Sequence, residues 1–216
     1  MDKMPLSDLI KTEGQTGDIL LFEGWSIFGL FEEAVTISPY SHVAMLVRNP
    51  TNNQLYVWES SNADDLIDQI SGRRKGGPRL VDAHDKIDGY LEKYGTGIIY
   101  RKLIKPPGTK VFSPSQWGWM MKFMKRESPK HFEQYPWNMA ESWTHTTIRP
   151  RHLDLSSVFC SEEVANTWHQ AGVPMMRMAD MYCPQDFSLA YQDVFPKQAI
   201  HQGWGLSPPF EILVNQ

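Results

Sequence analysis

Short apolar runs separated by turn residues dominate the first half of the chain. They have the length and composition of β-strands, and they are GDILLF at Gly17–Phe22, SHVAMLVRN at Ser41–Asn49, QLYVWESS at Gln54–Ser61 and GIIYRKLIK at Gly97–Lys105. The second and third runs flank the turn-forming stretch PTNN, Pro50–Asn53. These two runs therefore predict a β-hairpin.

Helical spacing of apolar residues is more typical of the second half. Ser113-Pro114 is a common helix start, and it precedes an apolar stripe at Trp117, Met120, Met121 and Met124. The spacing also predicts a helix over Ser161–Ala171 with Gly172 as its stop, and a weaker one over Trp25–Val35. Strands followed by helices predict an α+β fold, a small antiparallel β-sheet or open barrel with the cysteine-bearing helix packed against it.

Two polar residues interrupt the apolar faces of the predicted hairpin. His42 shares a face with Ala44 and Leu46, and Glu59 lies on an otherwise apolar face of the next strand. A four-residue loop, Asn49–Asn52, would place His42 directly opposite Glu59, with Cβ atoms ~5 Å apart. The carboxylate could then orient the imidazole and stabilise the imidazolium. A loop longer by one residue would turn the two side chains to opposite faces.

Cys160, in the stretch FCSEEV, comes just before the predicted helix. A helix N-terminus and a nearby imidazolium both favour a thiolate, and the backbone N–H at that position can face an oxyanion. Glu162 and Glu163 partly oppose the thiolate, although acids in a first turn favour the helix itself. These spacings leave a second interpretation open, in which Cys160 is a small buried hydrophobe and His42 and Glu59 are structural.

Composition and charge exclude several classes of function. The 216 residues suit one domain, residues 1–216, and 41% of them are hydrophobic, as in ordinary globular proteins. A net charge of −4 provides no basic field for nucleic acid, and no apolar run is long enough to cross a membrane. Two cysteines and no recognisable leader predict reduced thiols in a cytoplasmic or other reducing intracellular compartment, without a secretion signal.

The remaining candidate residues favour structural roles. The other six histidines are scattered without metal-ligand spacing, so we expect no metal and no cofactor. Cys183 is expected to be a structural thiol, and Asp18 to bond backbone near the start of its strand. Arg73–Lys75 (RRK) predicts an exposed loop, and Trp25–Val35 could make peripheral contact with lipid, although core packing explains it as well.

Taken together, the motifs resemble the circularly permuted branch of the NlpC-like, papain-like cysteine hydrolases, which includes relatives of lecithin–retinol acyltransferase. The residues that carry the resemblance span about 16–190 and are GDILLF at 17–22, SHVAMLV at 41–47, VWES at 57–60, FCSEEVANTWHQAG at 159–172 and CPQDFS at 183–188. The resemblance implies a permuted papain-like fold in which Cys160 is the nucleophile, His42 the general base and Glu59 the orienting acid.

The chain departs from the family pattern at two places. The segment FEQYPWNMAESW, Phe132–Trp143, matches only loosely the tyrosine-containing element that often precedes the cysteine strand, and FCSEE differs from the acyltransferase subgroup. A second oxyanion donor is not identifiable. The expected function is a thiol hydrolase or acyl-transfer enzyme that cleaves an amide or ester in a peptide or lipid-like substrate through a thioester. The alternative is a binding or structural module in which the triad is idle.

Overall fold

The computed structural model describes residues 1–23, 39–132, 157–188 and 194–214. The predictions for Trp25–Val35 and for the tyrosine-containing element around Tyr135 lie outside the described residues. Within the described ranges, none of the helices has the length and apolar character needed to cross a bilayer.

A seven-stranded sheet forms the centre of the structure. Its strands are β1 (Asp2–Pro5), β2 (Ile19–Glu23), β3 (Tyr40–Arg48), β4 (Leu55–Ser61), β5 (Gly77–Asp82), β6 (Ile98–Arg101) and β11 (Phe210–Leu213). They lie in the order β1-β11-β6-β2-β3-β4-β5, and every neighbouring pair is antiparallel except β1 and β11. Two smaller sheets pair β7 (Leu103–Ile104) with β10 (Gly205–Leu206) and β8 (His131–Phe132) with β9 (Ser157–Val158).

Helices cover both faces of this sheet. They are α1 (Leu6–Asp8), which continues into a π-helical turn at Leu9–Glu13, α2 (Ala83–Tyr94), α3 (Trp117–Glu127), α4 (Cys160–Ala171) and α5 (Lys197–His201), with 3₁₀ turns at Pro114–Gln116, Ala179–Met181 and Pro184–Phe187. The predicted stop of α4 is confirmed, because Gly172 adopts the left-handed conformation with φ 92°. Ser113 occupies the N-cap position before Pro114, but its side chain makes no capping hydrogen bond.

The sheet separates two apolar cores. One core joins α3 and α4 to alternate residues of the central strands. It includes Met45 and Trp58 on the strands and Trp168 on α4. The other core joins α2 to the opposite residues of the same strands, including Ala44 and Val57. This two-sided burial explains why the segments Val43–Val47 of β3 and Leu55–Trp58 of β4 consist of apolar residues. The prediction of an α+β fold with a helix on a mostly antiparallel sheet is confirmed, although the sheet is larger than expected.

The β3–β4 hairpin is confirmed, and its loop is longer than the four residues that would place His42 directly opposite Glu59. Arg48 pairs with Leu55 rather than Asn53, so the loop is Asn49–Gln54. The amide N–H of Asn49 donates to the carbonyl of Gln54 at 2.9 Å, and Asn53 adopts a left-handed φ of 59°. Asparagine tolerates that conformation, and it closes the longer loop.

The longer loop shifts the pairing by two residues, which keeps every side chain on its expected face. His42 and Glu59 therefore share a face but are not directly opposite. The paired positions run from Arg48–Leu55 to Met45–Trp58 and stop there. Beyond this point β3 and β4 continue without pairing with each other, and the candidate site lies there.

Candidate catalytic site

His42 and Glu59 meet where β3 and β4 no longer pair with each other. The imidazole Nε2 lies 2.7 Å from Glu59 Oε2, and the two side chains are 18% and 0% exposed. The contact therefore joins diagonal neighbours on the two strands rather than directly opposite residues, and both side chains are long enough to make it. The structure brings this predicted pair together although the loop is longer than four residues.

A second strand neighbour holds the other oxygen of Glu59. Arg79 on β5 lies directly opposite Glu59 in the β4–β5 register. Its Nε and Nη2 donate to Glu59 Oε1 at 3.0 and 2.7 Å, and its side chain is wholly buried. The hydroxyl of Ser61 donates to the same oxygen at 3.1 Å. Glu59 is therefore fixed through Oε1 and presents Oε2 to His42.

Lys86 on α2 adds a second cation to Glu59. Its Nζ donates to Oε1 at 2.8 Å. Asp64 balances the extra positive charge, since it accepts from Arg79 Nη1 at 2.6 Å, also contacts Nη2, and lies 3.9 Å from Lys86 Nζ. Two carboxylates and two cations thus compensate one another in a cluster whose Glu59 and Arg79 are fully buried and whose Asp64 reaches solvent, and such pairing is how buried charges are tolerated. We call Glu59, Asp64, Arg79 and Lys86 the charge cluster.

The charge cluster keeps Glu59 ionised. Burial alone would raise the pKa of this carboxyl, but the Lys86 charge, the His42 hydrogen bond and the Arg79 guanidinium hold the pKa well below its usual range. Glu59 is consequently a carboxylate throughout the neutral range and accepts the imidazole N–H.

Cys160 occupies the first position of α4. The preceding residue, Phe159, is extended, and its carbonyl accepts the first helical hydrogen bond from Glu163 at 3.0 Å. Ser60 on β4 donates to the carbonyl of Val158 at 2.8 Å, and Ser161 donates to the carbonyl of Tyr182 at 2.7 Å. These two hydrogen bonds hold the start of the helix beside the end of β4 that no longer pairs with β3.

The Cys160 side chain lies close enough to the His42 ring to act on its titration. Burial disfavours the imidazolium, but the charge and hydrogen bond of Cys160, together with Glu59, outweigh it and raise the pKa of His42 to about 9. His42 is therefore charged at neutral pH and lies between a sulfur and a carboxylate. The structure brings together all three residues that the motifs singled out.

Glu163 does not oppose a thiolate in the way its formal charge suggested. The side chain is fully buried, and its Oε1 accepts from the Trp58 indole at 3.1 Å. Burial and the charge of Glu127 raise the pKa of Glu163 to about 8, so the group is mostly neutral at pH 7. Of the two acids in the first turn of α4, only Glu162 remains half-exposed.

The other candidates have structural environments. Cys183 is buried, and its Sγ donates to Asp186 Oδ2 at 3.4 Å; burial and that carboxylate raise the pKa of the Cys183 thiol. Asp18 accepts from the backbone N–H groups of Gln15 and Leu103, as expected for a residue that secures the start of a strand. In the described part of the chain, no three His, Cys, Asp or Glu side chains are grouped as ligands for a metal ion.

The prediction of an exposed loop at Arg73–Lys75 is correct for only two of its residues. Arg73 and Arg74 are exposed. Lys75 turns inward and donates to the carbonyls of Pro78 and Ser128, the latter at 2.5 Å. The ammonium group takes the place of water at two buried carbonyls and connects the loop to the end of α3. Lys75 is therefore not free to bind phosphate or lipid.

Sequence reasoning missed Arg79 and Lys86. One signal was available, because GPRLVD at 77–82 has the alternation of a strand and places Arg79 on the same face as the apolar Val81. An arginine on a buried strand face requires an acid partner. Lys86 carried no such signal, since a lysine in the first half of a helix is ordinary.

The comparisons with known proteins find likeness only among solved structures. No family model matches the chain, and no curated protein matches it. Among solved structures, it is similar to the crystal structure of metalloprotein yiiX from Escherichia coli O157:H7, DUF1105, with 18% identity and a TM-score of 0.49 over 94% of this chain and 98% of that one. The expected membership of the permuted NlpC-like hydrolase family is therefore wrong, since its short motifs are not accompanied by a match to any family model.

Proposed function

We propose that the chain is a cysteine-dependent hydrolase or acyl-transfer enzyme that attacks the carbonyl of an amide or ester. The observation that supports this most directly is that one imidazole, His42, interacts with the Cys160 side chain and with a buried carboxylate at 2.7 Å. A nucleophile, a base and an orienting acid in contact are the parts that covalent acyl transfer requires.

The raised pKa of His42 determines the starting state of the reaction. At neutral pH the imidazole carries a proton, and in this proposal Cys160 attacks as a thiolate, a form that the imidazolium and the start of α4 both favour. The sulfur adds to the carbonyl carbon, and the backbone N–H of Cys160 at the start of α4 is placed to stabilise the oxyanion. The tetrahedral adduct expels the amine or alcohol, which takes the proton from His42 and leaves a thioester on Cys160.

The second half of the reaction uses the neutral imidazole as a base. His42 removes a proton from water, or from an acceptor alcohol or amine, as that group attacks the thioester. The thiolate leaves, the imidazolium forms again, and Glu59 stabilises it in both halves of the cycle. The charge cluster keeps Glu59 from taking the proton itself, because its pKa is held well below that of the imidazole.

The proposal includes a permuted papain-like arrangement and a peptide or lipid-like substrate. The chain order of His42, Glu59 and Cys160, with the cysteine at the start of a helix packed on the sheet, supports that arrangement. The two cysteines are free, which supports a reducing compartment.

Thiol alkylation across pH tests the proposal, and the chain contains its own control. Cys160 and Cys183 are both buried, but in the part of the chain that the structure describes Cys160 has an imidazolium beside it and Cys183 does not. With a small iodoacetamide reagent, we expect Cys160 to react well below pH 8 while Cys183 remains unreactive. The site of modification is read by mass spectrometry of the folded protein.

Two variants separate an active triad from an idle one. We expect His42→Ala to suppress the reaction of Cys160 at low pH, whereas His84→Ala, at an exposed position on α2, leaves it unchanged. If Cys160 reacts no faster than Cys183 at every pH, the enzyme proposal fails and the alternative of a binding or structural module with an idle triad takes its place.

A further inference from the structure

We propose that the cavity at the far end of β3 is a binding site for a small organic anion, a monocarboxylate with an apolar body. The cavity has a volume of about 330 Å³. Its lining includes Arg48, the last residue of β3, while His42 lies six residues earlier on that strand, roughly 20 Å away. The cavity is therefore separate from the candidate catalytic site.

Charge in the cavity is positive. Its described lining contains Arg48 and Lys105 and no carboxylate. Arg48 is committed to the fold, because its guanidinium donates to the carbonyls of Gly14 at 2.7 Å, Asn53 at 2.8 Å and Ile10 at 2.9 Å. It contributes its charge to the cavity, while its hydrogen bonds hold the hairpin loop and the chain before β2.

Within the described residues, Lys105 has N–H groups that make no hydrogen bond. Its Nζ donates to the carbonyl of Val111 at 3.2 Å, which uses one of three N–H groups. Burial lowers the pKa of Lys105, and Asp18 acts on it through charge, but the Asp18 carboxylate already accepts from the Tyr100 hydroxyl and from backbone. A partly desolvated ammonium without a contacting carboxylate is costly, and an anion in the cavity would supply that partner.

The rest of the lining is apolar or neutral. Phe112, Trp117 and Met120 provide apolar surface. Phe112 has a φ of 54°, a costly conformation for a bulky side chain, and its N–H donates to Gln116 Oε1 at 2.6 Å. That bond leaves the Gln116 amide NH₂ as a further donor. Strain of this kind clusters at ligand sites, and here it adjoins the one cation with free donors in the described lining.

The size and charge of the cavity select the ligand class. A volume of about 330 Å³ lies at the lower end of the range for small-molecule sites. A single uncommitted ammonium suits one negative charge better than the two of a phosphate monoester. The apolar lining requires a body beyond the charged group, so a carboxylate on a ring or short chain fits both features.

Calorimetric titration of the full chain with benzoate, at constant ionic strength, tests the site. We expect saturable binding with a Kd on the order of 1 mM, as for a ligand of this size. Lys105→Met is expected to weaken binding at least tenfold. Lys110→Met is the matched control, since Lys110 is exposed and outside the lining, and it should leave the Kd unchanged.

Three further ligands identify what is recognised. Benzamide has the ring without the charge, acetate has the carboxylate without the ring, and inorganic phosphate is an anion that is not a carboxylate. We expect each of the three to bind at least tenfold more weakly than benzoate. Chemical shifts of the Trp117 indole in the unmutated chain locate the ligand, so the test does not depend on a variant that folds. Equal binding of benzamide, tighter binding of phosphate, an unchanged Kd in Lys105→Met or an unmoved Trp117 signal would each overturn the proposal.

Discussion

Arg79 lies directly opposite Glu59 in the β4–β5 register and donates two hydrogen bonds to one carboxylate oxygen, which leaves the other oxygen for His42 at 2.7 Å. This relationship makes the orienting acid part of a rigid cross-strand pair. Lys86 and Asp64 complete the charge balance from the helix and loop on the same side.

Removal of Arg79 tests that relationship. Arg79→Met removes the guanidinium from the buried Glu59 and from the partly exposed Asp64, and loss of one partner from a buried ion pair costs ~3–5 kcal/mol. We expect the free energy of unfolding to fall by about that amount in urea titrations. Arg74→Met is the matched control, because Arg74 pairs with Asp65 in a contact where both side chains are largely exposed, and exposed pairs contribute ~1 kcal/mol or less. An equal effect of the two substitutions would contradict a buried supporting role for Arg79.

Glu59→Gln tests the proposed role of the carboxylate. Glutamine keeps the size of the side chain but removes the charge that stabilises the imidazolium, so we expect the pKa of His42 to fall and hydrolysis to slow by about 100-fold or more. The measurement is a pH–rate profile with an activated ester, joined to the NMR titration of His42. Should the profile and the titration both match those of the unmutated chain, Glu59 does not act on His42.

The His42 titration itself has a predicted direction. With a pKa of about 9, raised above its ordinary value of 6.5, the imidazolium contributes stability that is present below pH 6.5 and is lost as the pH rises through 9. Because Cys160 is the first of the influences that raise this pKa, Cys160→Ala should bring it down. The NMR titration of the ring protons measures this, and Cys183→Ala provides the control. A His42 pKa that is the same in both variants would show that the sulfur and the ring do not interact.

Glu163 should make the protein less stable as the pH rises. Its folded-state pKa of about 8 lies above the ordinary 4.5, so its contribution is fully present below pH 4.5 and is lost as the pH rises through 8. Glu163→Gln removes the titration and retains an acceptor for the Trp58 indole. We expect the variant to gain on the order of 3 kcal/mol at pH 7 relative to the unmutated chain and little at pH 4.5.

Thermal unfolding across pH 4.5–9 measures that difference. Glu92→Gln, at an exposed position on α2, is the control, and this substitution should leave the thermal stability unchanged at every pH. A constant difference between Glu163→Gln and the unmutated chain across the whole range would mean that Glu163 does not titrate in the folded protein.

Periodicity in the sequence was enough to determine the local elements and the faces of the residues in the candidate site. The apolar runs located β2, β3, β4 and β6, and the helical spacing after Cys160 located α4 with its stop at Gly172. His42 and Glu59 share one face with the longer loop, as they would with a four-residue loop, because a shift of two residues preserves the alternation of a strand.

Tertiary structure decided everything that depends on distant neighbours. The register followed from backbone hydrogen bonds within the loop, and the charge cluster joined residues 20 and 27 positions beyond Glu59. The charges of His42 and Glu163 followed from burial and from partners as far away in the chain as Cys160 and Glu127, since desolvation and Coulomb interactions act through space. Local patterns therefore determined which residues could form a site, and packing determined their distances and their protons.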